Sequence, residues 1–178
     1  MQPRHPPPNI WLISDPRNDA ILESALRKLP RGSGFVFRHY LLGEAARKAR
    51  FEVLRELCRE CRHLAVLSGD AETALAWGAD GVYGPPDTLG KLPGLLRFAT
   101  VHDVREVALA NRAKVDAMFL SPVFPTRSHP GDRVLGLPAF HELAALAESP
   151  VIALGGMTAA RAAEHSLTRW AGIDAFLR

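Results

Sequence analysis

Cysteine is scarce in this 178-residue chain, which carries only Cys58 and Cys61. They form a lone C-x-x-C late in a helical pattern. A redox pair would open a helix after a strand, and a zinc site would bring a second ligand pair, so two ordinary helix thiols are expected. Charge of one sign is equally thin, with a formal net charge of +3 and a sequence pI of about 9.2. Arg47, Arg50, Arg55, Arg59 and Arg62 alternate with Glu44, Glu52, Glu56 and Glu60. That is the pattern of a solvated helix face, not of a nucleic-acid footprint. No apolar run approaches the length of a membrane span, and the opening Met1 to Pro8 is proline-rich without an apolar stretch. A membrane partner is therefore not expected, and a cytoplasmic location is. Nor does a G-x-G-x-x-G follow the first apolar run, which removes the main argument for a dinucleotide-binding sheet.

Against these absences stands a hydrophobic content of 47%, ample for one core. Residues 1–8 read as a flexible tail and residues 9–178 as a single domain. Short apolar runs alternate with amphipathic stretches. The runs are Ile10 to Ser14, Gly34 to Arg38, Leu64 to Ser68, Gly81 to Tyr83, Phe98 to Val101, Ala117 to Val123, Val151 to Leu154 and Ile173 to Leu177. Helices are expected over Asn18 to Leu29, Gly43 to Arg59, Ala71 to Trp77, Val104 to Lys114, Pro138 to Ala147 and Ala159 to Thr168, with Asp103 and Thr158 as N-caps. Ala79-Asp80-Gly81-Val82, Val115-Asp116-Ala117-Met118 and Gly172-Ile173-Asp174-Ala175 repeat one small-plus-acid pattern at the entry to a run. Alternating elements imply a parallel sheet, and eight strands favour a TIM-type (β/α)8 barrel over a doubly wound open sheet. Such barrels usually need about 250 residues, so this one is expected to be compact and to lack most or all of its last helix. The apolar surface so left could be covered by a second copy in a homo-oligomer.

In such a barrel, chemistry collects where strands end. The polar residues there are Asp15 and Arg17; Arg38 and His39; Ser68 and Asp70; His102; Ser121, Thr126, Ser128 and His129; and the Gly155-Gly156 pair. Glycines after an apolar strand let the backbone approach a ligand, and the hydroxyls with Arg suit a phosphate. A phosphorylated small molecule is the expected partner.

Four segments then resemble one family: Gly78-Ala79-Asp80-Gly81-Val82; Val101-His102-Asp103; Ser121-Pro122-Val123-Phe124-Pro125-Thr126 with Ser128; and Ala153-Leu154-Gly155-Gly156-Met157-Thr158. Together they look like thiamine phosphate synthases and their TenI-type relatives. The resemblance implies condensation of a hydroxymethylpyrimidine diphosphate with a thiazole phosphate in thiamine biosynthesis, with Mg2+ assisting departure of the diphosphate. It implies catalytic roles for Arg38, His102, Ser128 and His129. It further implies substrate or phosphate contacts from Arg38, Thr100, Thr126, Ser128, His129 and Gly156, to which rim position adds His39, Ser121 and Gly155, and metal contacts from Asp87 and from Asp70, next to the family's own Asp position.

The chain departs from the family pattern at several of these points. Val36 and Tyr40 stand where the family's Gln-Leu-Arg-x-Lys has Gln and Lys, Ser68-Gly69 stands for Asn-Asp, and His129 stands for a Lys. Asp87 matches the second metal carboxylate only across a one-residue gap. The alternatives are a metal-independent TenI-like thiazole tautomerase, whose acid/base His falls on Pro122 here, and a barrel that binds a phosphorylated metabolite without catalysis.

Overall fold

A computed structural model of the chain describes residues 6–128, 131 and 133–176. Eight parallel strands close into a barrel in chain order. The elements are β1 (Ile10–Ile13), α1 (Leu22–Lys28), β2 (Gly34–Phe37), α2 (Glu44–Cys61), β3 (Leu64–Ser68), α3 (Ala71–Ala76), β4 (Gly81–Gly84), β5 (Leu96–Val101), α4 (Val104–Ala113), β6 (Ala117–Leu120), α5 (Gly136–Ala145), β7 (Val151–Ala153), α6 (Ala159–Glu164) and β8 (Trp170–Gly172). The fold is thus the expected TIM-type barrel. Among the described residues β4 runs to β5 with no helix between them, and β8 is followed by the 3-10 turn Asp174–Phe176. Among the described residues, no helix is long and apolar enough to cross a membrane.

Each strand buries both faces, which is why the apolar runs are continuous rather than alternating. Trp11, Ile13, Val36, Val66, Tyr83, Phe98, Ala117, Phe119, Ile152 and Ala171 fill the lumen. The intervening Leu12, Phe35, Phe37, Ala65, Leu67 and Met118 pack outward against the helices. Trp11 meets Phe98 edge-on at 4.9 Å and Phe119 at 5.1 Å, and Tyr83 meets Phe119 at 5.1 Å. A β-carbon on Gly34 would overlap the Trp11 indole, so this glycine makes the room that the largest lumen side chain needs.

The acid repeat has a structural meaning at two of its three places. Asp80 Oδ2 accepts the Ala65 N–H and Asp116 Oδ2 accepts the Arg97 N–H, both at 2.8 Å. Each acid, set just before its own strand, secures the start of the preceding strand. The third copy misleads. The eighth strand is Trp170–Gly172 and not Ile173 to Leu177, because Trp170 and Ala171 pair with Ile10 and Trp11. Asp174 therefore lies past the strand, at the opposite end from Asp80 and Asp116. β6 likewise stops at Leu120, short of the expected Val123, because Ser121 leads into Pro122, whose missing N–H cannot extend a ladder. Asp103 and Thr158 are N-caps as expected, accepting from Glu106 N–H at 2.9 Å and Arg161 N–H at 3.2 Å. Cys58 and Cys61 both lie in α2; burial pushes the Cys58 thiol strongly up, which keeps it protonated and inert.

Candidate active site

The C-terminal ends of the strands surround a cavity of about 750 Å³. Of the residues expected to bind or react, Arg38, Thr100, His102, Ser121, Thr126, Ser128, Gly155 and Asp70 line it. Tyr40, Ser68, Tyr83, Thr88 and Arg133 line it as well. Tyr83 belongs both to the lumen core and to the cavity wall, so the hydrophobic filling of the barrel ends where the cavity floor begins.

Arg38 is anchored from the end of the first strand. Its backbone N–H donates to Ser14 Oγ at 2.7 Å, its Nε to the Ser14 carbonyl at 3.0 Å, and its Nη2 to Asp15 Oδ2 at 2.8 Å. No partner for its Nη1 occurs among the described residues, so a charged donor edge remains for a ligand. Asp15 also accepts from Arg17 Nε at 2.8 Å. Burial opposes ionisation of Asp15, but the hydrogen bonds from Arg17 and the charges of Arg17 and Arg38 outweigh it and hold the carboxyl below its ordinary range. Each nitrogen of the Arg17 guanidinium has an internal partner: its Nη1 reaches Asp174 at 3.1 Å and its Nη2 reaches Ser128 Oγ at 2.7 Å. It ties the ends of β1, β6 and β8 together.

The segment 121–128 is fixed by backbone bonds. Val123 N–H donates to the Leu154 carbonyl at 2.9 Å and Phe124 N–H to that of Gly155 at 3.1 Å. Gly155 and Gly156 have φ of 96° and 61°, the left-handed region that favours glycine. A β-carbon on Gly155 would lie 2.6 Å from Pro122 Cα, and one on Gly156 would lie 2.9 Å from Phe124 Cβ. The pair therefore serves the close docking of the β7 end against segment 121–128. Only Gly155 reaches the cavity wall; Gly156 is turned beneath Phe124, and its carbonyl accepts from Arg161.

His102 is half-exposed at the cavity, and both its backbone N–H and its ring Nδ1 meet Glu106 Oε2, at 2.7 Å and 2.8 Å. The carboxylate takes the Nδ1 hydrogen, which leaves Nε2 as the basic nitrogen. His39 does not line the cavity. It is 6% exposed, with Nδ1 2.9 Å from Ser14 Oγ and Nε2 2.9 Å from Asp19 Oδ1, so its expected phosphate contact is replaced by internal partners. His129 lies outside the described residues.

The magnesium that the resemblance implies finds no suitable donor set. Asp70 is the N-cap of α3: Oδ1 accepts Thr73 N–H at 2.7 Å and Oδ2 accepts the Thr73 hydroxyl at 2.9 Å. That backbone hydrogen bond holds its carboxyl below the ordinary range. Asp87 is exposed and off the cavity wall. Among the described residues no group of three His, Cys, Asp or Glu is placed to hold a metal. These residues do not fit a site that needs one or two free carboxylates beside the substrate phosphates.

Sequence reasoning missed Tyr40 as a site residue; its hydroxyl meets Ser68 Oγ at 2.5 Å and its ring lies under the Arg47 guanidinium at 5.5 Å. It also missed Arg133. Ser14 was counted into the first strand, although a hydroxyl closing an apolar run is a rim residue by the same rule that selected Ser68.

The thiamine monophosphate synthase family model matches residues 10–176. Thiamine-phosphate synthase of Pyrococcus furiosus is 29% identical over 174 residues, which cover 93% of this chain and 82% of that protein. The putative thiamine-phosphate synthase 2 of Aquifex aeolicus is 28% identical over 160 residues, covering 85% and 86%. The solved structure of thiamine phosphate pyrophosphorylase from Pyrococcus furiosus superposes with a TM-score of 0.78 over 93% of this chain and 85% of that one, at 24% identity, a likeness of fold.

Proposed function

We propose that this chain, which belongs to the thiamine monophosphate synthase family, joins a pyrimidine diphosphate to a thiazole phosphate in the cavity at the barrel rim. The observation that carries the reading is Arg38, a guanidinium anchored by Ser14 and Asp15 with its Nη1 edge left for an anion. In this condensation the bond between the pyrimidine methylene carbon and the diphosphate oxygen breaks, and its electron pair leaves with the oxygen. The thiazole nitrogen then supplies the pair for the new C–N bond. The protein's share is positional and electrostatic. Arg38 meets the charge that grows on the departing diphosphate, with Arg133, Thr126 and Ser128 on the same cavity wall, while the Tyr83 floor and Gly155 shape the space for the two rings. No step is routed through a metal, because Asp70 and Asp87 do not supply a site for one.

A second reading, thiazole tautomerisation, is favoured by one observation. The Glu106-oriented His102 offers Nε2 for proton exchange and needs no metal.

Incubating the purified protein with both precursors and following thiamine phosphate and pyrophosphate tests the first reading. Formation of both supports it. Retained thiazole phosphate binding, seen as a rise in Tm, with no condensation overturns it in favour of the second. Absence of binding overturns both.

A further inference from the structure

We infer that Ser14, His39 and Asp19 form a partly buried relay that positions the Arg38 backbone, and through it the guanidinium, at the cavity mouth. The inference rests on the reading of Arg38 as an anion ligand. Val36 faces the lumen and Phe37 the helical layer, so Arg38 falls on the lumen side at the cavity mouth and His39 on the outer side. His39 has φ of 40°, an uncommon backbone for a residue with a side chain, persisting where the surroundings over-determine it. Here they do. The ring stacks on Phe37 at 4.8 Å with an interplanar angle of 6°, and each of its nitrogens has a partner.

One arrangement of hydrogens serves every atom of the chain. The Asp19 carboxylate only accepts, so the imidazole hydrogen sits on Nε2 and is donated to it. Nδ1 then presents a lone pair to the Ser14 hydroxyl hydrogen. The Ser14 oxygen remains as acceptor for the Arg38 N–H, at 2.7 Å. Ser14 is 0% exposed, so a partner lost there cannot be replaced by bulk water. The outer end is held in turn. Arg50 Nε donates to Asp19 Oδ1 and its Nη2 to the Asp19 carbonyl, both at 3.0 Å, while its Nη1 pairs with Glu23. The relay thus runs from α2 through the turn Asp19–Ile21 to the ends of β1 and β2. It shares the composition of a hydrolytic triad but not its chemistry, because Ser14 is fully buried and lies off the cavity wall.

The test is calorimetric titration with inorganic pyrophosphate, together with KM and kcat wherever condensation is measurable. Ser14→Ala and His39→Phe are expected to weaken pyrophosphate binding about threefold to tenfold, the size of one lost internal hydrogen bond. They are expected to raise KM more than they lower kcat. His39→Asn suits the left-handed backbone and keeps an acceptor oxygen toward Ser14, so it is expected to recover most of that affinity. Asp19→Asn, at the half-exposed outer end, is expected to cost about twofold. Arg38→Ala is the reference. If it leaves pyrophosphate affinity unchanged, the anion-site reading fails and the relay with it. If it weakens binding while folded Ser14→Ala and His39→Phe bind like the unaltered protein, the relay alone is overturned. Should those two variants not fold, Asp19→Asn decides, and unchanged affinity overturns the relay.

Discussion

The two corners of the rim use their charged residues in opposite ways. At the ends of β1 and β2, Arg38 is held by Ser14 and Asp15, residues 24 and 23 positions away in the chain. At the ends of β3 and β4, Asp70 is satisfied by Thr73, three positions away, and Asp87 faces solvent. A carboxylate consumed by its own helix start is a folding device. A guanidinium held by distant partners, with one edge left over, is preorganised for something outside the protein. Family membership raises the expectation of an anion-handling site at both corners, yet of the two only the first is built for one.

The contrast is broken most directly at Arg38. Arg38→Ala removes a charged donor and is expected to weaken pyrophosphate binding by about 1.5–3 kcal/mol, a factor of about 10–150, and to cost about 1 kcal/mol of stability, since the buried Ser14 carbonyl loses a donor while Asp15 keeps Arg17. Calorimetric titration reads the affinity and a melting curve reads the fold. Equal affinity would reduce the β1–β2 corner to a structural network.

Asp15→Asn is expected to have a smaller effect, on stability, of about 1 kcal/mol near neutral pH, since its pairs are only partly buried. The folded-state pKa of Asp15 is lowered. Its contribution is therefore full above the unfolded value of about 3.9 and lost as pH falls through the folded value. The Tm gap between the unaltered protein and Asp15→Asn should be open at pH 7 and close in the acid range. A gap that stays constant with pH would mean that the charge of Asp15 is not what holds Arg17 and Arg38.

What was legible in the sequence divides along the same line. The barrel could be read because parallel strands buried on both faces show as continuous apolar runs, and because Asp80 and Asp116 recur at the entry to their strands. Strand eight could not, since Trp170–Gly172 is too short to stand out and Gly172-Ile173-Asp174-Ala175 imitates the strand-entry pattern from the wrong end. Rim hydroxyls such as Ser121, Thr126 and Ser128 follow from strand position alone, and they line the cavity. Which rim residues are free to act does not follow, because that depends on long-range partners. His39 and Arg38 are adjacent in sequence, but one is sealed against Ser14 and Asp19 while the other opens to the cavity. Gly155 and Gly156 separate in the same way, one at the wall and one under Phe124.

The β3–β4 corner gives the smallest effects, and their signs are informative. Asp70→Ala removes a helix cap and is expected to cost about 1 kcal/mol of stability. Asp70→Asn keeps a side chain that caps equally well and deletes one negative charge from the cavity wall. It should leave Tm nearly unchanged and strengthen pyrophosphate binding slightly, by about twofold or less, since a repulsion between like charges is relieved. A carboxylate that held a metal against the diphosphate would give the reverse, weaker binding in the presence of magnesium. Asp87→Asn, off the wall and exposed, should change stability by no more than about 0.5 kcal/mol and leave affinity unaltered. A loss of magnesium-dependent pyrophosphate binding in both asparagine variants would show that the two corners act together after all. Silence at Asp87 with a gain at Asp70 would confine the anion site to the side where Arg38 stands.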